Sequence, residues 1–154
     1  MKVLIIEKDK TVRQSLSYFM ERHRNCEVFL AGSKKEGISL FDTVPFDIVV
    51  CGDQLPDGSG LEMLSGWVKQ KPNLVSILMT VQSDEKLRQE ASKAGIQGYL
   101  VKPFDLALST PKQFAYYIIT PQGGAPNPLV ALFRDWCLKE AREMEAGASS
   151  MEKP

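Results

Sequence analysis

Histidine is nearly absent from this chain: His23 is the only one in 154 residues. A catalytic triad that needs an imidazole base, or a zinc site built on imidazoles, therefore has almost no material. Cysteine is scarce too. Cys26, Cys51 and Cys137 are odd in number and lack metal-ligand spacing, so they read as thiols of a reducing compartment. Neither sign of charge is in excess, because 19 basic residues balance 19 acidic ones. That balance gives no footprint for a nucleic-acid or membrane surface. The one short basic cluster, Lys34-Lys35, reads as a solvated helix face. No apolar run approaches the ~20 residues of a membrane span. "MKVLII" breaks at Glu7-Lys8-Asp9 and does not read as a signal peptide. The glycine-rich "DGSG" and "QGGAP" lack the Gly-Lys-Ser/Thr of a phosphate loop and read as turns. No internal repeat is evident. The expectation is a cytoplasmic chain with no cofactor, no metal, no directly bound nucleic acid and no membrane contact.

What the chain has is alternation. Apolar content of 44% and charged content of 25% fit an ordinary globular domain. "KVLII" (2–6) is a continuous apolar run, as expected of a strand buried on both faces. Asp9 can cap the helix that follows, where Val12, Leu16, Phe19 and Met20 share one face. "CEVFLA" (26–31) predicts a strand. "SKKEGISLFD" (33–42) predicts a helix capped by Ser33 and weakened by Gly37. "FDIVVC" (46–51) predicts a strand, "GDQLPDGSG" a turn-rich loop, and "LEMLSGWVKQ" (61–70) a helix. "LVSILM" (74–79) predicts a strand, "DEKLRQEASKAG" (84–95) a helix ending at a glycine, and "GYLV" (98–101) a fifth strand. Five strands alternating with helices predict an α/β fold, a parallel sheet covered on both faces. Its functional crevice should lie beyond the carboxyl ends of the strands. Those ends are Glu7-Lys8-Asp9, Gly52-Asp53, Thr80 and Lys102.

Four segments, "VLIIEKD", "FDIVVCGDQLPDGSGLEML", "ILMT" and "GYLVKPFD", make residues 1–106 resemble a response-regulator receiver domain. The resemblance implies a flavodoxin-like three-layer fold. It also implies a phosphoacceptor aspartate at the end of the third strand, four residues before a proline and eight before a glycine. Counting back from Pro56 and Gly60, and forward from the strand-start aspartate at Asp47, lands on Gly52. The acceptor position is therefore empty, and Asp53 is displaced by one. Side chains alternate along a strand, so such a slip sends a group the other way. At a strand end beside a flexible glycine that rule is soft, so two readings of Asp53 stay open: a side chain that reaches into the pocket, and the blander one, a solvated loop carboxylate that helps form the turn. The family's acidic, magnesium-holding pair matches Glu7 and Lys8, and an ammonium at the second position is a poor metal neighbour. Two readings of Lys8 stay open. Either it stands where the metal would be, paired with Glu7, Asp9 or Asp53, or it points to solvent on its long stem. Asp9 reads as a helix cap. Thr80, Lys102 and Tyr99 match the hydroxyl, lysine and switch aromatic of the family. Their blander readings are a strand-end hydroxyl, a lysine paired with Glu7, and a packed aromatic.

The tail departs from the family. "LALSTPKQFAYYIITPQGGAPNPL" interrupts the place of a fifth helix with prolines. "FAYYII" (114–119) predicts a sixth strand. Asn127 and Pro128 then open a helix whose Leu129, Leu132, Phe133, Trp136 and Cys137 form an apolar stripe. "YYIITPQGGAPNPLVALFRDWCLKEA" resembles the carboxyl end of the effector-binding domain of LysR-type transcriptional regulators. This implies a receiver-like part over 1–106, a LysR-like strand and closing helix completing the same domain over 107–146, and a frayed tail over 147–154. The joint falls near Asp105–Thr110. Such a chimera has two possible origins, natural or engineered. The leading expectation is a non-enzymatic, phosphorylation-incompetent module with a protein partner, monomeric or weakly dimeric. The alternatives are an engineered scaffold with no evolved function and no partner, and a response regulator still phosphorylated at Asp53.

Overall fold

The computed structural model describes residues 1–23, 26–81 and 84–102. The sixth strand, the closing helix and the joint near Asp105–Thr110 lie outside the described residues. Among the described residues seven strands and four helices follow in order: β1 (Lys2–Ile6), α1 (Lys10–His23), β2 (Glu27–Ala31), α2 (Lys34–Thr43), β3 (Ile48–Gly52), β4 (Gln54–Leu55), β5 (Gly58–Ser59), α3 (Gly60–Gln70), β6 (Val75–Thr80), α4 (Glu85–Lys93) and β7 (Gly98–Val101). The predicted strands and helices within the described residues fall at these places.

Five strands form one parallel sheet in the order β2-β1-β3-β6-β7. The chain moves outward from β1 to one side, then returns and builds the other side from β3. The crevice between β1 and β3, at their carboxyl ends, is the topological switch point. At the opposite end Asp47 ties β1 to β3. Its carboxylate accepts the Lys2 amide at 2.7 Å, its own amide donates to the Lys2 carbonyl at 3.0 Å, and its carbonyl accepts the Val75 amide at 3.0 Å.

Side-chain alternation divides the core in two. Leu4, Ile6, Val49, Cys51, Leu78 and Tyr99 face a layer that includes Phe41 of α2, Met63, Leu64 and Trp67 of α3, and Ala91 of α4. Phe41 and Trp67 stack at 3.9 Å between centroids. Val3, Ile5, Val50, Ile77 and Met79 face Leu16 and Met20 of α1. β1 and β3 feed both layers and are almost wholly buried, so they read as unbroken apolar runs.

Caps fix where the helices start. Asp9 Oδ1 accepts the amides of Thr11 at 2.8 Å and Val12 at 3.2 Å. Ser33, Ser59 and Asp84 cap α2, α3 and α4. Gly95, at φ 83, follows α4 in the left-handed region that glycine enters without cost.

The turn-rich reading of 52–60 needs one correction. Gln54–Leu55 and Gly58–Ser59 pair as a short antiparallel hairpin. Asp57 at its tip accepts the amides of Lys34 at 2.6 Å and Lys35 at 2.8 Å, anchoring the hairpin to the start of α2. That carboxylate also offsets two lysines placed unfavourably at a helix N-terminus. Its pKa is lowered, first by the bond from the Lys35 amide.

Candidate functional site

The crevice is built from the ends of β1, β3, β6 and β7. Glu7 follows β1 directly and is 1% exposed, an unusual burial for a carboxylate. Both its oxygens are engaged. Oε1 accepts the Asp9 amide at 3.0 Å, and Oε2 takes a short charge-assisted bond from Lys102 Nζ, just past β7. The Glu7 carbonyl accepts from the Arg13 guanidinium. Glu7 is thus held from three directions.

Gly52 ends β3 and is buried. A Cβ added there would lie 2.7 Å from Glu7 Oε2. The glutamate carboxylate fills the space that a side chain at position 52 would enter. A second close approach lies behind it: a Cβ on Gly60 would sit 1.9 Å from the Gly52 carbonyl oxygen. Glycine at 60 is therefore required for the start of α3 to pack against the end of β3.

Asp53 departs from the blander of its two readings. Its amide donates to the Met79 carbonyl and its carbonyl accepts the Gly60 amide, both at 2.8 Å. Its side chain is half-buried, and Oδ2 accepts the Thr80 hydroxyl at 2.8 Å. The alternation rule fails because Gly52 is the last residue of β3; past it the chain turns, and parity no longer sets direction. Lys8 resolves toward solvent: it is exposed, and the ammonium beside Glu7 belongs to Lys102. Asp9 is a cap. The structure thus gathers Glu7, Gly52, Asp53, Thr80 and Lys102 and leaves Lys8 and Asp9 on the rim.

The electrostatics follow this packing. The Cys51 thiol, beside Gly52, has its pKa pushed up by burial first, then by the Glu7 and Asp53 carboxylates, with Lys102 opposing. It is an inert, protonated thiol. Tyr99 is 3% exposed, and its phenol pKa is raised by burial, then by the charges of Asp53 and Asp84.

The donors do not fit a divalent cation. Magnesium needs several hard oxygens with room for its waters. Here one Glu7 oxygen is on an ammonium and the other on an amide, Asp9 Oδ1 is on the α1 amides, and Asp53 Oδ2 is on Thr80. Gly52 offers no side-chain oxygen. Sequence reasoning missed the Asp53–Thr80 bond and the Asp57 anchor, which join residues 27 and 23 positions apart. No local pattern signals either.

Comparison with known proteins gives the class. The sequence matches the response regulator receiver domain over residues 3–109, and the chain belongs to that family. It is 31% identical over 106 residues to the transcriptional regulatory protein PmrA of Pectobacterium parmentieri, covering 69% of this chain and 47% of that protein. The receiver domain of Francisella response regulator 1452 superposes with a TM-score of 0.62 at 28% identity, over 67% of this chain and 84% of that one. The chemotaxis response regulator CheY4 of Vibrio cholerae does so with a TM-score of 0.62 at 25% identity, over 67% and 87%. The architecture is therefore the flavodoxin-like fold of receiver domains. The chain spans about half or less of the first curated relatives it matches. Receiver domains are signalling modules that act with protein partners. Among the described residues no helix is long and apolar enough to cross a membrane.

Proposed function

We propose that this receiver domain signals by protein contact without phosphoryl transfer. The observation that carries the reading is at Gly52, which the sequence spacing reads as the acceptor position: a Cβ there would lie 2.7 Å from the Glu7 carboxylate. Carboxylate phosphorylation needs a free nucleophilic oxygen and a cation for the developing charge. Lys102 is spent on Glu7, and both Glu7 oxygens and Asp53 Oδ2 have partners. The degenerate pocket of Glu7, Lys8, Asp9, Gly52, Asp53, Thr80 and Lys102 then serves as structure, with Tyr99 packed beside it.

One observation favours a second reading, in which Asp53 accepts a phosphoryl group: its carboxylate turns inward to Thr80. Acetyl phosphate with Mg²⁺, followed by intact-mass spectrometry, separates the two. The first reading expects an unchanged mass. A labile adduct that disappears in Asp53→Asn would establish the second.

We also propose that residues 107–146, with their LysR-like pattern, complete this same domain as the second part of a chimera, natural or engineered. Val75, Ile77, Met79 and Leu100, on the α1 side of the sheet, are at most 2% exposed. Among the described helices, α1 alone lies on that side, against β1 and β2. This burial supports a covering segment from this chain. An engineered scaffold with no partner would share all these features, and a protein that binds the domain specifically would exclude it.

A further inference from the structure

We propose that the core holds a binding site for one buried water, which bridges the Ser76 hydroxyl of β6 and the Gln97 side-chain carbonyl at the entry to β7. Side chains alternate along β6, so Ser76 shares the face of Leu78, which meets the layer of α3 and α4. Leu78 and Leu74, just before the strand, are core residues of that layer, and Ser76 between them is 0% exposed. A hydroxyl thus interrupts an apolar stripe. Among the described residues, the buried side-chain atoms with no hydrogen-bond partner are Ser76 Oγ and Gln97 Oε1. Buried polar atoms are normally bonded to protein or to ordered water, and a bare one is costly.

The two atoms belong to one place. Ile77 pairs with Gly98, so Ser76 stands opposite Gln97. The Gln97 amide donates to the Ser76 carbonyl at 3.1 Å, which carries the ladder one residue before β7 and keeps the alternation. Gln97 therefore shares the face of Tyr99, as Ser76 shares that of Leu78, and both of those residues lie in the same core layer. The turn that brings Gln97 there is fixed. The Gly95 and Ile96 amides donate back to the Ser92 and Ala91 carbonyls, each at 3.0 Å, and a Cβ on Gly95 would lie 3.1 Å from Val68 Cγ1 of α3. The hydroxyl and the amide carbonyl do not bond each other. Water satisfies both at once: it donates one hydrogen to Gln97 Oε1 and accepts the Ser76 proton. Neither atom is charged, so the pair offers a cation nothing to offset its own desolvation. The bridge ties the turn after α4 to the amino end of β6. It lies away from Thr80 and is independent of phosphoryl chemistry.

A crystal structure of the full chain tests this directly. A single density peak within hydrogen-bond distance of both Ser76 Oγ and Gln97 Oε1 is expected. Urea unfolding gives a second readout. Ser76→Ala and Gln97→Met each remove one partner without adding bulk, and each should lower the folding equilibrium constant about tenfold. The double variant should fall little further, since the water and both its bonds are lost together. A direct bond between Ser76 and Gln97, or no density between them, would overturn the proposal. So would a gain in stability for Ser76→Ala, which would mark a hydroxyl bonded to nothing. Losses that simply add in the double variant would overturn it too.

Discussion

Glu7 does at the residue scale what two groups would otherwise share. It neutralises Lys102 and it fills the volume beside Gly52. A buried pair of this kind adds little net stability, but breaking it from one side leaves a charge without a partner. Lys102→Met should therefore cost about 3–5 kcal/mol in urea unfolding, since the Glu7 carboxylate has almost no access to water. Adding Glu7→Gln should recover most of that loss. An equal loss in the double variant would mean that packing, not charge, sets the cost. The pocket was partly legible at this scale. The count from Pro56 and Gly60 singled out Gly52, beside which the Glu7 carboxylate lies, and pairing of Lys102 with Glu7 was one of the readings open in the sequence. The aim of Asp53 was not legible, because strand parity ends at Gly52 and a turn direction decides the rest.

At the scale of elements, two glycines inside helices carry opposite predictions. Propensity alone says that alanine improves either helix by about 1 kcal/mol. A Cβ on Gly37 of α2, however, would lie 2.7 Å from Ile6 Cδ1, in the core between α2 and β1. Overpacking of that kind costs about 1–3 kcal/mol. Gly37→Ala should therefore lower the melting temperature despite the helix gain. Nothing lies within 4 Å of a Cβ on Gly66 of α3, so Gly66→Ala should raise it. Melting temperatures that moved in the same direction would show that propensity outweighs the close approach. Elements were legible where period and caps agreed, as at Asp9 and Ser33. Gly37 looked like a weakness because its reason lies on another strand. The β4–β5 hairpin was not legible, since two-residue strands carry no periodicity.

Over the whole molecule, the sheet order β2-β1-β3-β6-β7 brings four strand ends to one crevice, and the chain then closes that crevice with its own side chains. If residues 107–146 complete the domain, deleting 110–154 should abolish cooperative thermal unfolding, because apolar surface on the α1 side would be uncovered. A remainder that melts sharply would instead make the receiver part autonomous. The central claim concerns chemistry: this receiver domain does not accept a phosphoryl group. Its most direct measurement is the intact mass after acetyl phosphate or beryllofluoride with Mg²⁺, run beside an ordinary receiver and the Asp53→Asn variant. The account predicts modification of the ordinary receiver and an unchanged mass for this chain. A labile adduct on the wild type that is missing from Asp53→Asn would contradict it.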